Sequence, residues 1–363
     1  MKARDPGRPF CEEARMKRWT HRPPGSNWGD FGDDDELGRI NLLTPERVLT
    51  AVREVRVGQV FCLSLPLDLP GGNLLNPRRH PPRRFATVRG PGVAAFNFLM
   101  RQVDPRQVDV ASDDAVLMAL QYSTQWDSFA HIGASFDADG DGVPEPVYYN
   151  GFRAGVDVVA PSFRPGPVDW CCAEGVEAKR LGIETMAAAG VQGRGVMIDL
   201  HAIAGRERRV IGWDDLRRAM DAQRVEVEAG DLVCLWTGFD RLILEQAGRP
   251  TEASMHGSCA TLDGRDERLL QWITHSGLVA LISDNYAVEQ LPAREPPGDG
   301  DYPALPLHHH CLFKLGVHLG ELWYLAELAG WLRANGRNRF LLTAPPLRLP
   351  GAVGSPATPI ATV

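Results

Sequence analysis

The sequence predicts an α/β or mixed α+β fold, and three observations carry that expectation. Short apolar runs recur at residues 195–200, 232–236 and 278–282. Each is too short for a helix and long enough for a buried strand. A helix signal lies between the first two: residues 213–222 (WDDLRRAMDA) place two acids in the first turn, where a helix N-terminus favours negative charge. Each run then ends in polar residues, His201, Thr237 and Ser283-Asp284-Asn285. Polar groups just past strand ends are where α/β proteins build sites. Strands and helices that interleave this way belong to a layered α/β architecture.

In chain order, residues 1–26 mix charge, Pro and Gly without periodicity and read as an N-terminal extension, leaving 27–363 as a single domain. Asn27-Trp28-Gly29-Asp30-Phe31-Gly32, beside the acidic run 33–36, reads as a folded loop. Thr44-Pro45-Glu46 starts a helix, with Thr44 as cap and Pro45 at the first helical position. Val48, Val52 and Val55 form its expected apolar face. Residues 60–65 (VFCLSL) read as a strand. Residues 66–89, rich in Pro, Gly and Arg, read as a long surface loop, of the kind that serves as a lid or partner surface. Residues 137–142 (DADGDG) imitate the start of a calcium loop. The twelfth position from Asp137 is Tyr148, not an acid, so a structural acidic turn is the expectation. Residues 320–335 read as a helix carrying Glu321, 340–343 as a last strand, and the Pro/Gly-rich tail from 344 as a wrap over the body.

Composition sets limits on function. Hydrophobic residues make up 44% and charged residues 23%, enough apolar content for a sizeable core. A net charge of −7 argues against a nucleic-acid surface, which needs a basic stripe. Seven cysteines, an odd number with no C-x-x-C pair and one vicinal pair (Cys171, Cys172), predict a reduced, cytoplasmic protein. Neither a signal peptide nor an apolar run long enough to span a membrane is expected.

The stretch from Gln121 to His131 concentrates polar chemistry. Gln121, Ser123, Gln125 and Asp127 fall on one face if the segment is extended, and His131 follows four residues later. Two amides, a carboxylate and an imidazole on one face suit a hard metal ion or a positioned water; the alternative is an exposed polar strand edge. A second concentration is His308-His309-His310, with Glu321 thirteen residues after His308. One or two of these histidines are expected to be functional. His308 is chosen because it follows Leu305-Pro306-Leu307.

Taken together, these residues resemble the metal-dependent cyclase superfamily, which includes kynurenine formamidases, isatin hydrolases and trans-dienelactone hydrolases. The family signature H-x-G-T-H-x-D-x-P-x-H stands here as Q-Y-S-T-Q-W-D-S-F-A-H, residues 121–131. The likeness extends through residues 27–29, 37–47, 283–285 and the A-P-P-L-R and G-S-P segments near the C-terminus. The resemblance implies a swivelling β/β/α cyclase-like fold, with a mixed central sheet or barrel-like core flanked by helices. It implies a homo-oligomer, dimer or tetramer, acting on a small molecule. Asp127, His308 and Glu321 fall on metal-ligand positions, Gln121 and Gln125 where the family has two histidine ligands, and His131 on the acid/base position. Asp127 and His131 are then the catalytic pair, with Trp126, Phe129, Tyr149, Asn150 and Asn285 as pocket residues. Amide oxygens in place of imidazoles favour an oxygen-preferring divalent ion such as manganese or magnesium, and the cofactor expected is a divalent ion, manganese or zinc. This glutamine form resembles the dienelactone branch, so opening of a lactone is the first expectation. An amidase of the formamidase or isatin type, a biosynthetic cyclase and a non-catalytic binding member are the alternatives.

Overall fold

In a computed structural model, which describes residues 17–161, 173, 175–296 and 298–363, one nine-stranded sheet organises the chain. Its strands are β1 (Val60–Cys62), β2 (Gln125–Asp127), β3 (Gln192–Asp199), β4 (Leu232–Trp236), β5 (Ala280–Ser283), β6 (His318–Glu321), β7 (Arg339–Thr343), β8 (Gly354–Pro356) and β9 (Ile360–Thr362). Their spatial order is β1-β9-β7-β3-β4-β5-β6-β2-β8. The central four, β3 to β6, run parallel, and the strands flanking them on both sides pair antiparallel. The three apolar runs read from the sequence are thus the parallel centre, buried on both faces as parallel strands require.

Alternation along β3 divides the interior in two. Val196 and Ile198 enter one core, shared with Leu216 and Ala219 of α3 (Trp213–Gln223) and Leu269 and Ile273 of α5 (Glu267–Ser276). Met197 enters the other, shared with Ile183 and Met186 of α2 (Ile183–Ala189) and Leu328 and Leu332 of α6 (Ala326–Ala334). The remaining longer helices are α1 (Pro45–Val52) and α4 (Phe239–Gln246).

The sheet is curled into a half-barrel, and the tail shows why it must be. Only residues 357–359 separate β8 from β9, a link that reaches at most about 14 Å. In a flat sheet the seven strand spacings between them would span about 34 Å. The segment joining these two strands stitches the flanks together: Leu63 N–H donates to Pro359 O at 2.8 Å, and Ala357 N–H to Thr124 O at 3.1 Å.

Several expectations need correction. Glu321 lies on strand β6, not on a helix. His318 to Gly320 continue the parallel ladder beside Ala280 to Ile282, and only Ala326 onward is helical. Leu322, at φ 57°, turns the chain directly after Glu321. Thr44 caps α1 as expected, its hydroxyl accepting from Arg47 N–H at 3.4 Å, but the buried residue of that helix is Ala51, while Val52 is exposed. Residues 83–117 form a β-arm, whose first strands fall within the segment 66–89 read as a loop. Arg83–Ala86 pairs with Asp114–Leu117, Val88–Gly90 with Val93–Ala94, and Phe98–Leu99 with Val110–Ala111. Strands of two to four residues amid Pro and Gly leave no periodicity to detect.

Of the expected extension, residues 1–16 lie outside the described residues, as do Cys171 and Cys172. Trp19 is buried against Trp28 with ring centroids 6.0 Å apart. In the 137–142 turn, Asp137 accepts from Gly140 and Gly142 N–H at 2.8 and 3.0 Å, as a self-bonded acidic turn does.

Candidate metal centre

Strand β2 is the foundation of the site. It lies between β6 and β8, with Asp127 opposite Leu319 on one side and Gly354 on the other. Alternation sends Gln125 and Asp127 to one face and Trp126 to the other. Trp126 is therefore a core residue: its indole N–H donates to Ala344 O at 2.8 Å and its ring meets Trp323 edge-on at 5.0 Å. Gln125 faces Glu321 across the ladder, and its amide donates to Glu321 Oε2 at 3.2 Å.

Gln121 reaches this face by a turn rather than by the strand alternation expected, because β2 begins only at Gln125. Its Nε2 donates to Asp127 Oδ1 and contacts His131 Nδ1, both at 2.9 Å. Gly354 makes this possible. A Cβ there would stand 2.6 Å from Gln121 Cγ, so any larger residue displaces the amide. His131 returns through a turn, its N–H donating to Ser128 O at 3.1 Å. Burial lowers the His131 pKa, keeping the ring neutral near pH 7.

The other half of the site comes from far along the chain. His308 N–H and Nδ1 both contact Glu289 Oε1, at 3.0 and 2.7 Å, while Leu307 N–H donates to Glu289 Oε2 at 2.9 Å. His308 Nε2 meets Glu321 Oε1 at 3.2 Å. Gly264 leaves room for Glu289, since a Cβ there would stand 2.2 Å from Glu289 Oε2. Burial alone would depress His308, but its two carboxylate partners prevail and raise it to about 10. For Glu321, burial pushes the carboxyl up, and the His308 bond overcomes that to leave it lowered. The neighbouring histidines point elsewhere: His310 Nε2 contacts Leu270 O at 2.9 Å, and His309 packs on Phe313 at 4.9 Å.

The two halves meet. Ligand atoms of Asp127, His131 and His308 lie within 4.8 Å of one another. Two buried oxygens here, Asp127 Oδ2 and Gln125 Oε1, have no hydrogen-bond partner. A buried orphan carboxylate oxygen is unfavourable unless something else binds it. Together with His308 Nε2 and Glu321, these oxygens fit a divalent cation, and their chemistry is that of a hard, oxygen-preferring ion.

The expected pocket residues divide. Phe129 stacks on His318 at 4.0 Å and leans on Tyr149 at 4.9 Å, beneath β2. Asn150 is engaged with the folded loop: its Oδ1 accepts from Gly29 N–H, and its Nδ2 donates to Gly32, Asp33 and Asp35 carbonyls. Tyr149 is buried with its hydroxyl toward Asp35 at 3.5 Å. Asn285 donates to Ala260 O at 2.9 Å, leaves Oδ1 without a partner and lines a small cavity with Tyr286 and Glu289. Three residues missed by the sequence reading complete the surroundings. Glu289 orients His308. His318 Nδ1 meets Asp127 O at 2.8 Å. Arg79, from the loop before the β-arm, donates to Gln121 O at 2.8 Å and lines a cavity with Gln121, Tyr122 and Tyr286. An acid inside the apolar run Ala287-Val288-Glu289 was the only available signal for the first, and Arg79 offered none beyond a basic loop.

A half-barrel of mixed strands with an internal carboxylate, imidazole and amide cluster at its seam defines a cyclase-like α/β protein. The chain belongs to the cyclase family: the family model described as "Putative cyclase" matches residues 61–290. That span includes Gln121 to His131 and ends before His308 and Glu321. A crystal structure described as a novel cyclase is 31% identical with a TM-score of 0.70, covering 94% of this chain and 100% of that one. Isatin hydrolase A from Labrenzia aggregata, bound to benzyl benzoate, shares the fold at 13% identity and a TM-score of 0.52, covering 88% and 98% of the two chains. Isatin hydrolase A from Ralstonia solanacearum does so at 15% and 0.50, covering 88% and 97%. A comparison with curated proteins found no match. No helix among the described residues is long and apolar enough to cross a membrane.

Proposed function

We propose that this protein is a metal-dependent hydrolase that opens a cyclic ester with water. The observation that supports it is the pair of orphan oxygens, Asp127 Oδ2 and Gln125 Oε1, buried beside the His308–Glu321 pair. Asp127, Glu321, His308 and Gln125 would hold the ion. With the Gln121 nitrogen already bonded, only its carbonyl oxygen is left to face a cation. A divalent ion bound here supplies acidification of a water and polarisation of a carbonyl.

The chain's own residues then do the following. The Gln121 N–H makes His131 Nδ1 an acceptor, which puts the proton of the neutral ring on Nε2. That N–H would donate a hydrogen bond to the oxygen that departs as the ring opens, and the proton this oxygen takes up comes from the attacking water. Glu289 holds the His308 ring by Nδ1 and so aims Nε2 at the centre. Arg79 and Tyr286 form the outer wall and orient a polar substituent of the substrate.

The test is metal content of the purified protein together with turnover of lactones, N-formyl amides and cyclic imides. Bound manganese with lactone opening supports the reading. Turnover confined to amides or imides moves the assignment to an amidase. No metal binding and no turnover of any compound would leave a binding protein on a hydrolase fold.

A further inference from the structure

One cavity beside the candidate metal centre takes no part in the proposed chemistry. Glu289, which holds His308, forms one side of it, and Tyr286 another. Phe239 and Met255 supply apolar wall, and Arg208 and Asn285 supply polar groups. The space is about 20 Å³, room for one water-sized group and little more. It is not isolated. Tyr286 also lines the cavity shared by Arg79 and Gln121. A rotation of that ring would join the two.

The two polar groups are each short of a partner. Asn285 is 3% exposed. Its Nδ2 donates to Ala260 O at 2.9 Å, which fixes the orientation of the amide and leaves Oδ1 buried and unbonded. Its backbone is tied to the centre, since Asn285 O accepts from Leu322 N–H at 3.0 Å, one residue past Glu321. Arg208 is half-buried. Its Nε and Nη2 share Gln290 Oε1 at 3.1 and 2.9 Å, and its Nη1 reaches Ser258 O at 3.5 Å. The acid in the same cavity does not neutralise it: Glu289 Oε1 is taken by His308 and Oε2 by Leu307 N–H. A cation without a counter-charge and an orphan acceptor are both unfavourable as they stand.

The group that satisfies both is narrowly defined. It donates to Asn285 Oδ1, accepts from Arg208 and is no larger than a water. A carboxylate has no proton for Oδ1 and would stand beside Glu289. An ammonium accepts from nothing and is repelled by Arg208. A hydroxyl meets all three conditions. We propose that Arg208 and Asn285 form a specificity site for a hydroxyl carried by the substrate, so that the cyclic ester opened here is a hydroxylated one. The ester rests on the hydrolase reading; the hydroxyl rests on Arg208 and Asn285.

The test compares compounds that differ by one hydroxyl, on the full chain with Mn²⁺. The probes are γ-butyrolactone with its α- and β-hydroxy forms, γ-valerolactone with its hydroxymethyl counterpart, and succinimide with its hydroxy form. Calorimetry gives the affinity of each, and turnover is followed separately. In at least one pair the hydroxylated member should bind at least about tenfold tighter, as one hydrogen bond to a charged group contributes. Arg208→Met should bring that ratio near one. Should the variant not fold, the wild-type ratio still decides. Equal or absent binding across every pair overturns the proposal and leaves the cavity to a water. A folded Arg208→Met that keeps the wild-type ratio also overturns it. A preference in binding without turnover of any lactone keeps the hydroxyl site and fails the lactone reading. Lactone turnover without the preference does the reverse.

Discussion

The two halves of the candidate metal centre are built on opposite principles. In the Glu289–His308–Glu321 half every carboxylate oxygen has a hydrogen-bond partner, and one imidazole bridges the two acids. In the Gln121–His131 half, Asp127 Oδ2 and Gln125 Oε1 are buried with none. The first half is complete as it stands and holds its geometry without help. The second is complete only with something added. An assembly of this kind separates the residues that organise a site from those that need its ligand, and substitutions should separate them too.

The largest effect is expected on the incomplete side. Asp127→Asn should lower turnover at least about 1,000-fold, since it removes the one anionic ligand that has an open oxygen. Thermal stability of the metal-free protein should hold or rise, because an orphan buried charge has gone. A fall of several degrees would show that Asp127 is structural. On the complete side, Glu289→Gln should weaken Mn²⁺ binding by about 100-fold in calorimetry, as loss of a ring-orienting carboxylate does. It should also alter the pH dependence of the metal-free fold. His308 is held at about 10 in the folded chain, above its unfolded value. The stabilisation is thus full below the unfolded histidine pKa, near 6.5, and lost as pH rises through about 10. The melting temperature of the metal-free wild type should fall across that window, and that of Glu289→Gln should fall less.

Gly354→Ala is a finer probe of the incomplete half. It touches no residue of the Glu289–His308–Glu321 half and pushes Gln121 aside. Turnover should drop roughly tenfold with His131 no longer oriented, while Mn²⁺ affinity changes little. Trp126→Phe should have the smallest effect. It removes the bond to Ala344 O on the far face of β2 and should lower stability by about 1 kcal/mol. An altered metal affinity in that variant would contradict the separation of the two faces.

The sequence made one of these halves readable and left the other partly hidden. Gln121, Gln125, Asp127 and His131 occupy eleven consecutive positions, so a local pattern carried them. The parallel centre was equally legible, because buried parallel strands are continuous apolar runs. Glu289 acts through a contact nineteen residues away in sequence, and no local period records such a contact. Glu321 was found as a residue but assigned to a helix, because L-G-E-L-W-Y-L is apolar enough for either element. The ladder beside β5 decided it, and that neighbour is set by tertiary structure alone. Tyr149 and Asn150 show the opposite error. They are the kind of residues a pocket uses, but the loop 27–35 has already claimed them.

The short link between β8 and β9 has a consequence in time as well as in space. Asp127 is held on one side by β6 and on the other by β8, whose residues follow it by more than two hundred positions. A ribosome releases the Gln121–His131 segment early and residues 354–362 late. Until that last piece arrives, β2 lacks one neighbour, Gln121 lacks the glycine it lies over, and the flanks of the half-barrel are not joined. The candidate metal centre is consequently among the last features to form. A nascent chain should bind its ion only once residues 354–362 have left the exit tunnel and the seam has shut.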